Sequence, residues 1–320
     1  MASVSVPAQM RSAAGILLRE LDDGQRAQAA FPLADDAARR WIEYRPEYRP
    51  GACLAQLSTA ARKAAHRLLS TALSDHAYAQ AMAIVALEEV LDRAEGWRNG
   101  RFSGDYYVSV FGDPSAGDAW SWRFEGHHLS VTMTLRGDKV SPAPIFLGAN
   151  PAHVRRGGRT VSAPLAPEED LAWELLAALD SPARDCAVVA ENAPHDIRSA
   201  TKPRADPVIA PRGVEASRLA PGARALLDQL VMLYLDRLPA ELAAAQAARI
   251  AGGEMYFAWE GPVLRGARHY YRLQADDLLI EYDNTAADGN HVHSVLRRPR
   301  SDFGADILAE HYDRDHQPVS

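Results

Sequence analysis

The chain has 320 residues, 47% of them hydrophobic and 24% charged, a composition that builds a packed core and excludes a disordered protein. Its net charge of -7 argues against a nucleic-acid partner, because such binding needs a concentrated positive surface to release counterions. Cys53 and Cys186 are too few and too far apart for a disulfide framework, and no Cys-x-x-Cys pattern offers a thiolate metal site.

Near the N-terminus an apolar run over 13–18 ends at once in Arg19, Glu20, Asp22 and Asp23. It is too short for a signal peptide, and no stretch approaches the ~20 apolar residues of a membrane span. A soluble, cytoplasmic protein with no membrane partner is expected. Two helices are predicted over 59–73 and 75–94, with Ser58 and Ser74 where N-caps belong and Leu68, Leu69, Ala72 and Leu73 at helical spacing. Both cysteines lie in or beside helical stretches and read as small buried apolar groups.

Beyond Gly100 the pattern turns to short strands over 106–111, 119–124, 128–135 and 139–147, punctuated by Gly112-Asp113-Pro114, Gly126 and Gly137-Asp138. A helix opens at Pro167-Glu168-Glu169-Asp170, with acids where the helix dipole favours them. The proline-rich stretch 193–221 reads as an irregular surface loop. Helices over 221–249, interrupted at Pro239, lead to strands over 255–259, 268–274, 278–283 and 291–296. No internal repeat stands out. The expected fold is α+β: an antiparallel sheet built from strand sets at about 106–147 and 254–296, helices packed on it, and a helical region over about 1–100. All of 1–320 is expected to form a single domain, because the later strands need partners from the earlier set.

Basic clusters at Arg155-Arg156-Gly157-Gly158-Arg159 and Arg297-Arg298-Pro299-Arg300 read as solvated loops. The second, close to a histidine-rich segment, is also a place for a small anionic substrate group.

Six of the histidines fall in three groups: His127 and His128, His291 and His293, His311 and His316. Neutral imidazole is the commonest side-chain ligand for zinc, iron and copper. Alternate strand residues share a face, so His291 and His293 can reach one ion together, and Gly126 permits a bend that brings His127 or His128 to it. His311 is a further ligand candidate. Metal–nitrogen bonds of ~2.1 Å limit two ligands of one ion to about 4 Å apart, so this site requires close approach of residues distant in sequence. Glu125 shares a strand face with His127 and is the expected general base on a bound water. Asp302 reads first as turn or cap chemistry and is carried as an outside candidate for a second acid or base. No Gly-x-Ser-x-Gly elbow, Gly-x-Gly-x-x-Gly or phosphate loop occurs.

The stretch Trp122-Arg123-Phe124-Glu125-Gly126-His127-His128-Leu129-Ser130, with Pro144-Ile145-Phe146-Leu147-Gly148-Ala149-Asn150-Pro151, Ile280-Glu281-Tyr282-Asp283-Asn284, Asn290-His291-Val292-His293 and Asp302-Phe303-Gly304, resembles the domain of unknown function 3500 family. The resemblance covers about 41–316 and implies that the histidine groups are shared signatures. It implies no reaction. From the residues themselves, the expectation is a divalent transition metal (zinc, iron or copper) activating water for hydrolysis of a small-molecule substrate. The alternatives are an iron- or copper-dependent oxidoreductase and a non-catalytic binding protein for a small ligand. The oligomeric state is left open.

Overall fold

The computed structural model describes residues 4–45 and 48–308. Helix α1 (Val6–Glu20) carries Met10, Ala13, Ala14 and Leu17 at i, i+3, i+4 and i+7, all buried, so the apolar run near the N-terminus is the core stripe of a helix. Helix α2 (Asp23–Ala29), held by a capping box of Asp22 and Gln25, runs into β1 (Ala30–Phe31), a short α3 (Asp36–Arg39) and β2 (Ala52–Cys53). In α4 (Thr59–Ser70) and α5 (Asp75–Ala94) the hydroxyls of Ser58 and Ser74 accept from the N–H groups of Ala61 and Ala77, as their cap positions predict.

Strands β3 (Tyr106–Phe111), β4 (Trp120–Gly126) and β5 (Leu129–Arg136) form an antiparallel meander. The strand expected over 139–147 is split into β6 (Lys139–Ser141) and β7 (Ile145–Ala149), because Pro142 and Pro144 have no N–H for a ladder. An exposed hairpin follows, β8 (Val154–Arg156) and β9 (Arg159–Ser162), then α6 (Ala166–Ala178), α7 (Ser181–Ala187), β10 (Val188–Ala190), β11 (Val214–Glu215), α8 (Pro221–Leu235) and α9 (Ala240–Ile250). The chain closes with β12 (Tyr256–Glu260), β13 (Tyr270–Ala275), β14 (Leu278–Ala286) and β15 (His291–Arg297). The fold is α+β: one 13-stranded sheet runs through both strand sets, joined at its centre by antiparallel pairing of β7 with β15. Cys53 lies in a strand, and both cysteines are free and only partly buried.

The chain carries an internal repeat that its sequence hides. In each half two helices lead to a short strand (β1, β10) lying parallel to the first strand of a meander (β3, β12). A long irregular strap returns to a second short strand (β2, β11) antiparallel to that same meander strand. Two further helices and the meander follow, and α1 packs on α4 as α6 packs on α8. Gly51 and Gly213 precede β2 and β11 at positive φ, and a Cβ on either would strike the carbonyl oxygen of Val108 or Phe257. No other residue fits that approach. Arg123, flanked by Ser109 and Thr132, corresponds to Arg272, flanked by Ala258 and Glu281, and both are fully buried.

Both faces of the sheet are covered, by different chemistry. Trp122, Phe124, Val131, Ile280, Leu296 and their neighbours meet the helices in the main apolar core. The opposite face holds buried polar groups: Arg123, Glu125, Thr132, Glu281, Asp283 and Arg272. The two straps, over 32–45 with 48–50 and over 191–213, lie on it. Arg123 donates to the carbonyl oxygens of Ala38, Arg39 and Trp41, and Arg272 to that of Pro211. The proline-rich stretch is irregular, as expected, but it is no surface loop: its Ile197, Ser199 and Ala205 are buried, and its backbone satisfies the ionic face. The second basic cluster is neutralised, Arg297 by Asp302, Arg298 by Asp277 and Arg300 by Asp276. No cation of that cluster is left unpaired for an anionic substrate.

Candidate metal centre

His127 and His128 form the two-residue turn between β4 and β5, with His128 at φ 61°. The turn is pinned on several sides. A Cβ at Gly126 would fall 2.3 Å from the Tyr106 ring, whose hydroxyl donates to the His127 carbonyl at 2.8 Å. The His128 N–H donates to the Tyr44 carbonyl at 3.1 Å, and its own carbonyl accepts from Gly148 N–H at 2.8 Å. The imidazole of His128 then lies over Gly148, where a Cβ would meet its Cδ2 at 2.9 Å. Gly148 is the cross-strand partner of His293, so the absent side chain is what lets His128 reach the face on which His291 and His293 stand.

The result is a cluster of three imidazoles from segments far apart in the chain. One nitrogen from each of His128, His291 and His293 lies within 4.8 Å of the others. His128 Nε2 and His291 Nε2 are 2.8 Å apart, and the ring centroids of His291 and His293 are 4.7 Å apart. Burial, and then the neighbouring imidazoles His127, His293 and His291, hold His128 well below the usual imidazole range. The same causes, burial first and then His293 and His127, push His291 down to about 3. Both rings are therefore neutral at pH 7, with lone pairs available.

Two carboxylates flank His293. Its Nδ1 lies 2.9 Å from Asp196 Oδ1 and 3.5 Å from Asp283 Oδ1. Burial acts to depress His293, but the Asp196 hydrogen bond and the charges of Asp283 and Asp196 outweigh it and raise its pKa. Burial pushes the Asp283 carboxyl up to about 7 against the pull of His293. On the other side, the His127 ring lies 3.8 Å from that of His128 and its Nδ1 donates to Glu88 Oε1 at 2.7 Å.

Two expected catalytic residues are not among the groups that converge on the cluster. Glu125 is fully buried in an ion pair with Arg123, at 2.8 Å, on the strap-covered face. Strand alternation puts Arg123 and Glu125, two residues apart, on one face, and the guanidinium engages the carboxylate there. Asp302 accepts from Arg297 Nε at 2.6 Å and from Arg298 N–H at 2.8 Å, so both its oxygens are engaged by the turn that follows β15. His311 lies outside the described residues. The residues missed by sequence reasoning are Glu88, Asp196 and Tyr44. Glu88 had a readable signal, a carboxylate four residues after Ile84 on the buried stripe of α5. Asp196 and Tyr44 come from the straps, where no periodicity guides a choice.

A cavity of about 680 Å³ is lined by His153, Trp173, Asn284 and Asn290 among others, and none of the three histidines lines it. Asn290 precedes His291 in the chain and also holds the 152–153 backbone through its carbonyl and side chain. Among the described residues no helix is long and apolar enough to cross a membrane.

A family model described as "Protein of unknown function (DUF3500)" matches residues 4–305, and the chain belongs to that family. No curated protein and no solved structure matches it.

Proposed function

We propose that this DUF3500 protein is a metal-dependent enzyme in which His128, His291 and His293 hold one divalent transition ion and the reaction is hydrolysis of a small molecule. The observation that carries this reading is the convergence of the three imidazole nitrogens within 4.8 Å. The closest pair, at 2.8 Å, already falls inside the ~4 Å limit for two ligands of one ion, and the whole set is within about 1 Å of it. The neutral rings of His128 and His291 suit the ion, since a ligating histidine must give up its proton. Three protein ligands also leave a coordination position open, as catalytic sites do. When bound, such an ion lowers the pKa of its water toward ~7 and supplies a nucleophile at neutral pH.

The chain's own residues do the rest. Asp196 fixes the His293 ring through Nδ1, and the His127–Glu88 pair braces His128 from behind. An all-imidazole set is taken by zinc, iron and copper alike, which supports a second reading, an iron- or copper-dependent oxidoreductase. Elemental analysis of untagged protein should find about one equivalent of transition metal per chain. A content far below that after growth in supplemented medium would reject both readings. Turnover that requires oxygen would select the oxidoreductase.

A further inference from the structure

The two straps meet at the candidate centre, each contributing one side chain. Tyr44, from the first strap, is buried with its ring stacked 4.1 Å from that of Phe146 and tilted against that of His293 at 4.8 Å. Its hydroxyl donates to Asp196 Oδ2 at 2.8 Å. Asp196, from the second strap, uses its other oxygen to accept from His293 Nδ1 at 2.9 Å. Both oxygens of Asp196 are thus engaged, and Ile197 N–H adds a third donor to Oδ1. A carboxylate so committed fixes a ring and has little left for an ion. With Nδ1 occupied, the nitrogen that His293 can turn to His128 and His291 is Nε2.

We infer that Asp196 is a positioning residue for the metal centre, and that Tyr44 acts through Asp196. The inference rests on the metal reading above and adds which residues set the ligand's tautomer and ring orientation. Carboxylates that hold the second nitrogen of a ligating histidine raise its basicity, and their loss weakens metal affinity about 10–100-fold. The arrangement also ties both straps to the centre: Tyr44 touches His128 through its backbone carbonyl and His293 through Asp196.

The test titrates the untagged full chain with Co²⁺, following the visible absorption bands of the bound ion. Asp196→Asn should bind one Co²⁺ about 10–100-fold more weakly, with shifted bands, and Asp196→Glu should recover part of the loss. Tyr44→Phe keeps the ring and removes one hydrogen bond, so it should weaken binding by less and add nothing in the Asp196→Asn background. Unchanged affinity and bands in Asp196→Asn would overturn the inference. Fully additive effects of the two substitutions would overturn the Tyr44 part, and complete loss of binding in a folded Asp196→Asn would make Asp196 a ligand instead. If Asp196→Asn does not fold, Tyr44→Phe with wild-type affinity and bands overturns the proposal. A wild-type chain that binds no Co²⁺ refutes the metal reading itself, a result distinct from all of these.

Discussion

His128 Nε2 and His291 Nε2 stand 2.8 Å apart although 163 positions separate them in the chain. Both rings are held neutral, so in the metal-free chain the contact is an N–H···N hydrogen bond between opposite tautomers. An ion held by the three histidines would take the place of that proton. His291→Ala, which removes one of three ligands, should therefore cost more affinity than the about 10–100-fold expected of an outer partner, while leaving the fold intact because His291 is only partly buried. Chelator competition measures it, and wild-type affinity in the variant would sink the three-histidine centre.

Gly148→Ala should disturb the centre without touching a ligand. Its Cβ would lie 2.9 Å from both His128 Cδ2 and the Val292 carbonyl oxygen, and backbone on one side cannot yield. The expected result is a loss of ~1–3 kcal/mol of stability from overpacking together with weakened metal binding. Denaturant unfolding and Co²⁺ titration report the two separately. Binding as tight as wild type would show that His128 does not need the space.

Glu125→Gln tests the reassignment of that residue. It leaves the Arg123 guanidinium buried without its countercharge, which is expected to cost ~3–5 kcal/mol and lower the melting temperature by many degrees. Metal stoichiometry in the folded fraction should stay that of wild type. Normal stability with lost turnover would instead return Glu125 to a catalytic role.

His269 gives a pH dependence away from the centre. It is fully buried, stacked 4.4 Å from Trp259, and its pKa is lowered by burial despite the Ala267 carbonyl and Glu169. The folded chain refuses a proton that the unfolded chain accepts below about pH 6.5. Stability is thus fully present above that value and declines as pH falls toward the lower folded pKa, with a slope approaching ~1.4 kcal/mol per pH unit. His269→Phe should lack this component, so the difference between variant and wild type should move in the variant's favour from pH 7 to 5. A constant difference would mean that His269 titrates alike in both states.

The helices and strands were legible because their signals are local: the caps at Ser58 and Ser74, the apolar stripe of α5, the glycine and proline punctuation between strands. The pairing of His291 with His293 followed from strand alternation alone, and a bend after Gly126 was foreseeable. What the straps do was not legible, because they act through backbone carbonyls that any residue supplies, as at Ala38 and Pro211. The repeat was hidden for the same reason. Its two halves need only similar hydrophobic spacing, and the clearest matches are single residues such as Gly51 with Gly213 and Arg123 with Arg272. Asp196 and Tyr44 reach the histidines only after both straps have folded over the sheet, a relation with no trace in local pattern.

The central pairing of β7 with β15 gives the centre a shared ownership. His128 belongs to the first half of the chain and His291 and His293 to the second, so neither half alone can assemble three ligands. Cutting the chain in the exposed hairpin β8–β9 would turn the protein into a two-component system. Metal capture would then report reassembly, with affinity that depends on the concentration of both fragments and rises when either is added to the other.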